Sequence, residues 1–490
     1  MQTVQFLSAM RSQLDDLQRQ LGTGKKSDDY AGLGLGRGLS VALRSQLAAI
    51  SGFADTITNV GVRLEVAQTA LSRISAIAGQ TKSAAHVSLF DLSGDGQTVE
   101  QTVAMQAFDE LLALLNNRVG ERYIFSGRAT DTPATGTPSL ILNGDGTRAG
   151  FKQVMAERLQ ADLGVNGIGR LVTARVAAAV SIAEDSAGSP FGFKIAGIST
   201  IVTGAAVTAP AGATPSESID FTGSTPVAGE TVTLLLSLPD GTNATLTLTA
   251  TASMPPGAGQ FTIGATDDDT AINFQSALDA ALATLAQTEL RAASGMAAAE
   301  DFFDVDDSRP PRRVDGPPFD TATALIDGST ADTVTWYDGE AGADSARATT
   351  VARIDPAMTV AYGMRANEQG LRSIVQAVAV FAVNTFSAAD PNGSQAYGAL
   401  TQRIATALSG PPGQQTVTDI AAELGGAQAT LKAASERHLQ TEASLTDLLQ
   451  GIEGVRLEEV GAQILALQTN LQASLQTTAI LYRTTLVEYL

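Results

Sequence analysis

The chain has 490 residues, a formal net charge of −20 and no cysteine. That length is ample for several domains, each with its own core. The acidic balance argues against nucleic acid or an anionic membrane surface as the main partner, because phosphate neutralisation needs clustered Lys and Arg. The missing thiols exclude disulfides, thiolate metal sites and cysteine nucleophiles.

The first segment carries apolar residues at alternating steps of three and four: Leu7, Met10, Leu14, Leu17 and Leu21. That period places one stripe along a helix. The helix is expected to stop at Gly22-Thr23-Gly24, where two glycines sit close together. Met1 to Leu21 has no continuous apolar run and no small-residue cleavage site, so no secretory signal is read there. A glycine-rich bend, Gly32 to Gly38, precedes a long helix expected from Leu39 to Ser83. Its seam runs Ile50, Phe53, Ile57, Val60, Leu64, Ala67, Leu71 and Ile74; such a helix is roughly 65 Å long. A turn at Leu92–Gln97 and a helix from Thr98 to Arg118 follow, then the short apolar run Tyr123-Ile124-Phe125.

From Leu140 to Tyr362 the heptads vanish and Thr, Val, Ala, Gly and Pro dominate. Thr231–Leu238 and Asn243–Thr251, joined by Pro239-Asp240-Gly241-Thr242, form a hairpin signal. Ile195–Val202, Gln260–Ile263, Thr333–Tyr337 and Ala348–Ile354 are further strand candidates. Asp268 or Asp269 is the expected N-cap of a helix reaching Ala286.

Helix returns at Asn367–Phe386 and Ser394–Leu408. The apolar stretch Ile374–Phe386 is short of the ~20 residues that span a bilayer, so it reads as a core helix and membrane insertion is not expected. The tail resumes the alternating step through Val417, Ile420, Leu424, Ala427, Leu431, Ala434, His438, Thr441, Leu445, Leu448, Ile452 and Val455. A second run follows: Leu457, Val460, Ile464, Leu467 and Leu471. Gly425-Gly426 inside the first run costs about 1 kcal/mol per glycine relative to Ala and hints at a close backbone neighbour. A long stripe of this kind needs a partner helix.

These elements predict an α+β fold. The termini form a long antiparallel helical bundle or coiled coil, and a β-rich middle is inserted between them. The division is 1–135 helical, 140–362 inserted and 364–490 helical. The residues expected to carry packing and assembly are Leu7, Met10, Leu14, Leu17, Leu21, Ile57, Val60, Leu64, Leu71, Leu424, Leu431, Leu445, Ile464, Leu467, Leu471 and Leu475.

Signals for chemistry are weak. The two histidines, His86 and His438, lie far apart in sequence, and His438 falls on a seam position. Gly32-Leu33-Gly34-Leu35-Gly36 follows no predicted strand, so it does not read as a dinucleotide loop. Asp301, Asp304, Asp306 and Asp307 lack calcium-loop spacing and read as a solvated acidic loop partly offset by Arg309, Arg312 and Arg313. No cofactor, metal or catalytic residue is expected.

Leu21-Gly22-Thr23-Gly24-Lys25-Lys26, then Asp28-Asp29 and Ala31-Gly32-Leu33, resembles the N-terminal signature of the bacterial flagellin family, in which Leu-Ser-Thr-Gly-Lys-Arg leads to Asp-Asp-Ala-Ala-Gly-Leu. This chain is shorter between Lys26 and Asp28. Gln68-Thr69-Ala70-Leu71, Leu424-Gly425-Gly426-Ala427-Gln428 with Leu431, and Gln463–Leu490 resemble the family's other helical segments. The resemblance covers residues 1–135 and 364–490. Tyr123-Ile124-Phe125-Ser126-Gly127, Asp131-Thr132-Pro133, Leu471–Gln476 and Leu486–Leu490 are also similar to the related hook–filament junction proteins, hook-associated protein 3. The family carries further residues before its first seam, so the resemblance implies a shortened N-terminus here.

The resemblance implies a structural flagellar subunit that is exported without a cleavable signal and sits outside the cell. Its partners would be copies of itself or related axial subunits, with an export chaperone on the C-terminal helix and no nucleic acid. Filament subunit and junction protein both stay open. A surface adhesin whose β-rich middle grips a glycan or receptor is a further alternative. An enzyme housed in the middle would require converging carboxylates or histidines in a deep pocket.

Overall fold

A computed structural model describes residues 2–86, 89–305, 310–340, 342 and 344–487. The fold mixes helix (52%) with strand (16%), which is compatible with the α+β class. In chain order, α1 (Gln2–Thr23) ends at Gly24, whose φ of +67° is the left-handed turn that favours glycine. A 3₁₀ segment, Ala31–Gly36, leads into α2 (Arg37–His86), which is longer than its apolar pattern predicts. Helix α3 (Val99–Leu115) opens on a capping box between Thr98 and Gln101. A two-residue hairpin, β1 (Arg118–Val119) and β2 (Arg122–Tyr123), precedes α4 (Pro138–Asn143) and α5 (Phe151–Leu163).

The middle holds β3 (Leu171–Val176), β4 (Ala179–Glu184), β5 (Lys194–Thr200), β6 (Ala206–Ala211), β7 (Ser216–Asp220), β8 (Thr231–Ser237), β9 (Asn243–Thr251) and β10 (Gln260–Thr262). After them come α6 (Asp267–Leu285), a π-helical turn at Ala286–Leu290 and α7 (Arg291–Phe303). Short strands follow: β11 (Arg312–Val314) with β12 (Leu325–Asp327), and β13 (Val351–Asp355) with β14 (Met358–Ala361). The chain closes with α8 (Gln369–Val383), α9 (Gly393–Ala407), α10 (Val417–Glu453) and α11 (Leu457–Val487).

Two compact units emerge, and they interleave along the chain. The first comprises residues 1–61, 352–360 and 428–490; the second comprises 62–351 and 361–427.

Within the second unit, two four-stranded sheets share one core. Their orders are β3-β4-β7-β6 and β10-β9-β8-β5. The expected hairpin is β8–β9, paired antiparallel from Thr231↔Thr249 to Ser237↔Asn243. Alternation supplies the core: β4 and β7 turn Val180, Ile182 and Ile219 inward, and β8 turns Val232, Leu234 and Leu236. Helix α6 packs on both edge strands β3 and β10, while β5 meets β6 at the other side. Phe274 of α6 lies 5.3 Å from both Phe221 and Phe261, forming an aromatic centre.

Helices α7, α8 and α9 pack on one another in this unit, and α3 packs on α8. Helix α8 is buried almost all round, as its apolar composition requires. Its C-terminal carbonyls are satisfied from α3 and the turn before it: Gln101 Nε2 donates to Phe381 O and Asn384 O, and Gln97 Nε2 to Ala382 O. The end of α7 is closed by Trp336, whose Nε1 donates to Phe303 O at 2.8 Å.

Several expectations are corrected. Thr266, not Asp268 or Asp269, caps α6, with its hydroxyl accepting from Asp269 N, and Asp267–Asp269 occupy the first turn. Thr333 and Tyr337 make isolated bridges to Ala149 and Thr135 instead of a strand. Asp301 is not solvated. It is buried and accepts from Arg158 and Arg312, both at 2.5 Å, while Asp304 pairs with Arg372 at 2.6 Å. Asp306, Asp307 and Arg309 lie outside the described residues. A Cβ at Gly425 or Gly426 would meet no described atom within 4 Å.

One buried carboxylate stands apart. Glu217 of β7 is 1% exposed, and neither of its oxygens has a hydrogen-bond partner among the described residues. Burial raises its pKa to about 7 from an ordinary value of 4.5. A raised carboxyl pKa means that the folded state holds the proton more tightly. The stability of this unit is therefore full below pH 4.5 and declines as pH rises through 7, by roughly 3 kcal/mol at most. Glu217→Gln should abolish that decline and melt higher than the parent at pH 8. Thermal melts across pH 4–9 check this; parallel pH profiles for the two proteins would contradict it.

Candidate assembly surface

The first unit is built on the terminal helices. Helices α1 and α11 pack together, with Leu17, Val460 and Ile464 buried between them and Leu14, Val455 and Leu467 at the margin. Met10 is also buried, and Leu7 and Leu471 are half-buried. Leu21 and Leu475 stand off the stripe at 44% and 53% exposure. On α11 the stripe beyond Leu471 continues instead through half-buried Ser474 and Thr478. Ile57 and Val60 of α2 and Leu431 of α10 are buried in this unit, and Leu445 is half-buried. Leu64, Leu71 and Leu424 are buried in the second unit. Residues 488–490 of the closing segment lie outside the described residues.

A polar clasp, missed in the sequence, locks the turn between α10 and α11. The Glu453 carboxylate accepts from Ser40 Oγ at 2.5 Å, from Arg44 Nε at 2.9 Å and from Arg44 Nη2 at 2.6 Å. Lys26 Nζ donates to the carbonyls of Gly451 and Ile452 at 3.1 and 2.8 Å, placing a cation on the C-terminal end of α10. The backbones are stitched as well: Lys26 N donates to Glu453 O and Val455 N donates to Gly24 O. Any Cβ at Gly454 would lie 2.4 Å from Gln450 O, so only glycine fits the turn. The one legible hint was Lys25-Lys26 placed directly after the helix stop.

His438 is buried on α10, stacks on Phe53 at 5.8 Å and donates from Nε2 to Ile354 O at 2.7 Å. It thus ties β13 to the helices, a packing role in line with its seam position.

What the unit leaves uncovered is equally defined. Between Val460 and Tyr482 the sequence has no Asp, Glu, Lys or Arg. Yet Leu465 and Ile480 are 66% and 63% exposed, like Leu475. A solvated helix face ordinarily carries charge. This face carries Leu, Ile, Gln, Asn and Thr, a composition suited to burial against another surface. Phe6 on α1, Leu35 in the 3₁₀ segment, and Leu439 and Leu448 on α10 are also exposed.

Elsewhere, the second unit pairs its buried Arg158 internally. Buried Arg158 bridges Asp162 and Asp301, and Gly192 N donates to Asp162 Oδ1 at 2.8 Å. Burial pushes both carboxyls up, against the pull of Arg158. Among the described residues no group of three or more His, Asp or Glu could hold a metal ion, and no helix is long and apolar enough to cross a membrane.

The described residues thus define a two-helix pairing surface that is apolar on more than one side. No known family model matches the chain, and no curated protein matches it.

Arg44 and Ser40 lower the Glu453 pKa to about 2 from an ordinary 4.5. A depressed carboxyl pKa gives stabilisation that is full above pH 4.5 and lost as pH falls through 2. Glu453→Ala should cost roughly 1–2 kcal/mol, since Arg44 is half-exposed and its charge is screened. Hydrogen exchange at the Lys26 and Val455 amides should quicken in the variant. Unchanged exchange at both would show that the clasp does not hold the turn.

Proposed function

We propose that the chain is a self-assembling structural subunit of the flagellin type, outside the cell in a bacterial flagellum. Its N- and C-terminal helices pair antiparallel as a bundle and present the rest of their apolar faces to neighbouring copies. The observation that carries this reading is the charge-free run Val460–Tyr482, with Leu465, Leu475 and Ile480 exposed on it. Each exposed apolar side chain buried on association would contribute about 25 cal/mol per Å². The motif resemblance at Leu21–Leu33 and Leu424–Leu431 supports the same reading. Export without a cleavable signal, with a chaperone on the C-terminal helix, belongs to it.

A second reading is the hook–filament junction protein, favoured by Tyr123-Ile124-Phe125-Ser126-Gly127 followed by Asp131-Thr132-Pro133. In either role the middle region is a surface module and the chain is not an enzyme.

Leu465→Lys with Leu475→Lys changes only exposed positions, so the monomer should melt within about 0.5 kcal/mol of the parent. The same pair should block polymerisation, as should deletion of residues 457–490. Sedimentation and electron microscopy decide: filaments formed by either variant would sink the proposal. Antibody labelling of intact flagella separates the two roles. Filament subunits label along the whole length and junction proteins only at the base; the filament pattern is expected.

A further inference from the structure

In the second unit a cleft of about 450 Å³ opens among α7, α8, α9 and the tip of the β8–β9 hairpin. Its volume lies within the roughly 300–1,000 Å³ typical of small-molecule sites. One wall is the π-helical turn between α6 and α7, which brings Glu289 to the cleft. Interruptions of this type occur frequently at functional sites.

Its guanidinium groups are already paired. Arg403 donates from Nε to Asp240 at 2.8 Å and from Nη1 to Glu289 at 2.6 Å, and its side chain is only 11% exposed. Arg372 pairs with Asp304. An anionic ligand therefore finds no uncompensated guanidinium to neutralise. Lining groups of another kind remain. The side-chain amides of Gln402 and Gln414 and the Glu300 carboxylate make no hydrogen bond among the described residues, and Gln376 makes one long one, 3.4 Å, to Ala299 O. Amides offer donors and acceptors in one plane, which suits adjacent hydroxyls that both donate and accept. Met296, Ala407 and Pro411 add an apolar patch for the C–H face of such a ligand.

We propose that this cleft binds a neutral saccharide, with Gln376, Gln402 and Gln414 as its hydrogen-bonding residues and the Asp240–Arg403–Glu289 bridge as its rigid frame. The site goes beyond the assembly role and lies in the other unit, so neither depends on the other. The arrangement resembles a preorganised polar site: the bridging residues are fixed by each other, and Gln376 and Gln402 are held on α8 and α9.

Saturation-transfer NMR on the full chain, with maltose, lactose and N-acetylglucosamine each at millimolar concentration, tests it. At least one sugar should show transfer, and Gln376→Ala with Gln402→Ala should weaken its binding about tenfold or more at unchanged melting temperature. No transfer from any of the three, or transfer insensitive to the double substitution, overturns the proposal. So does competition by glycine or inorganic phosphate, since the site would then prefer an ionic ligand.

Discussion

The first unit depends on one carboxylate. Glu453 sits where α10 ends and α11 begins, and its two oxygens take three hydrogen bonds from α2. A helix end exposes carbonyls that need donors, and here Lys26 supplies them from the segment after α1. The clasp thereby ties the turn at Gly454 to both N-terminal helices, and α11 leaves that turn on the side where α1 can cover it. Apolar packing between α1 and α11 is modest: a narrow stripe centred on Leu17, Val460 and Ile464. A polar anchor at one end spares that stripe much of the entropic cost of bringing the helices together.

The second unit solves a different problem. Two open sheets leave edges, and α6 fills the gap beside β3 and β10 with Phe274, Leu278 and Leu282. Buried charge there is tolerated where it is paired, as at Arg158, Asp162 and Asp301. Glu217 is the exception, held at an elevated pKa by its surroundings.

Long helices were legible because their period is repeated many times. The steps of α1, α2, α10 and α11 are written in Leu, Ile and Val, and Gly22-Thr23-Gly24 marked the first stop. The β8–β9 hairpin was legible from Asp240-Gly241 between alternating runs. Strands β3, β4, β6 and β7 were not, since Ala-, Ser- and Thr-rich runs such as Ala179–Glu184 carry little contrast between faces. Helix α7 was hidden for a related reason: Ala and Gly let it pack closely but write no stripe. The acidic cluster was misjudged because Asp301 is paired by Arg158, which is remote in sequence. At the assembly surface, the stripe was readable and the clasp was not, because Ser40, Arg44 and Glu453 meet only through the fold.

The polar continuation of the stripe on α11 bears on register. Apolar steps that recur every seven residues allow two helices to slide by a heptad with little change in contacts. Beyond Leu471 the seam positions are Ser474 and Thr478, and Thr478 Oγ1 returns to Ser474 O at 2.7 Å within its own helix. A slide by one heptad would bring these hydroxyls to positions now filled by Leu467 and Leu471, opposite apolar side chains of α1. With no charges between Val460 and Tyr482 to penalise a wrong alignment, two small polar residues act as the stop that gives the pair a single in-register position.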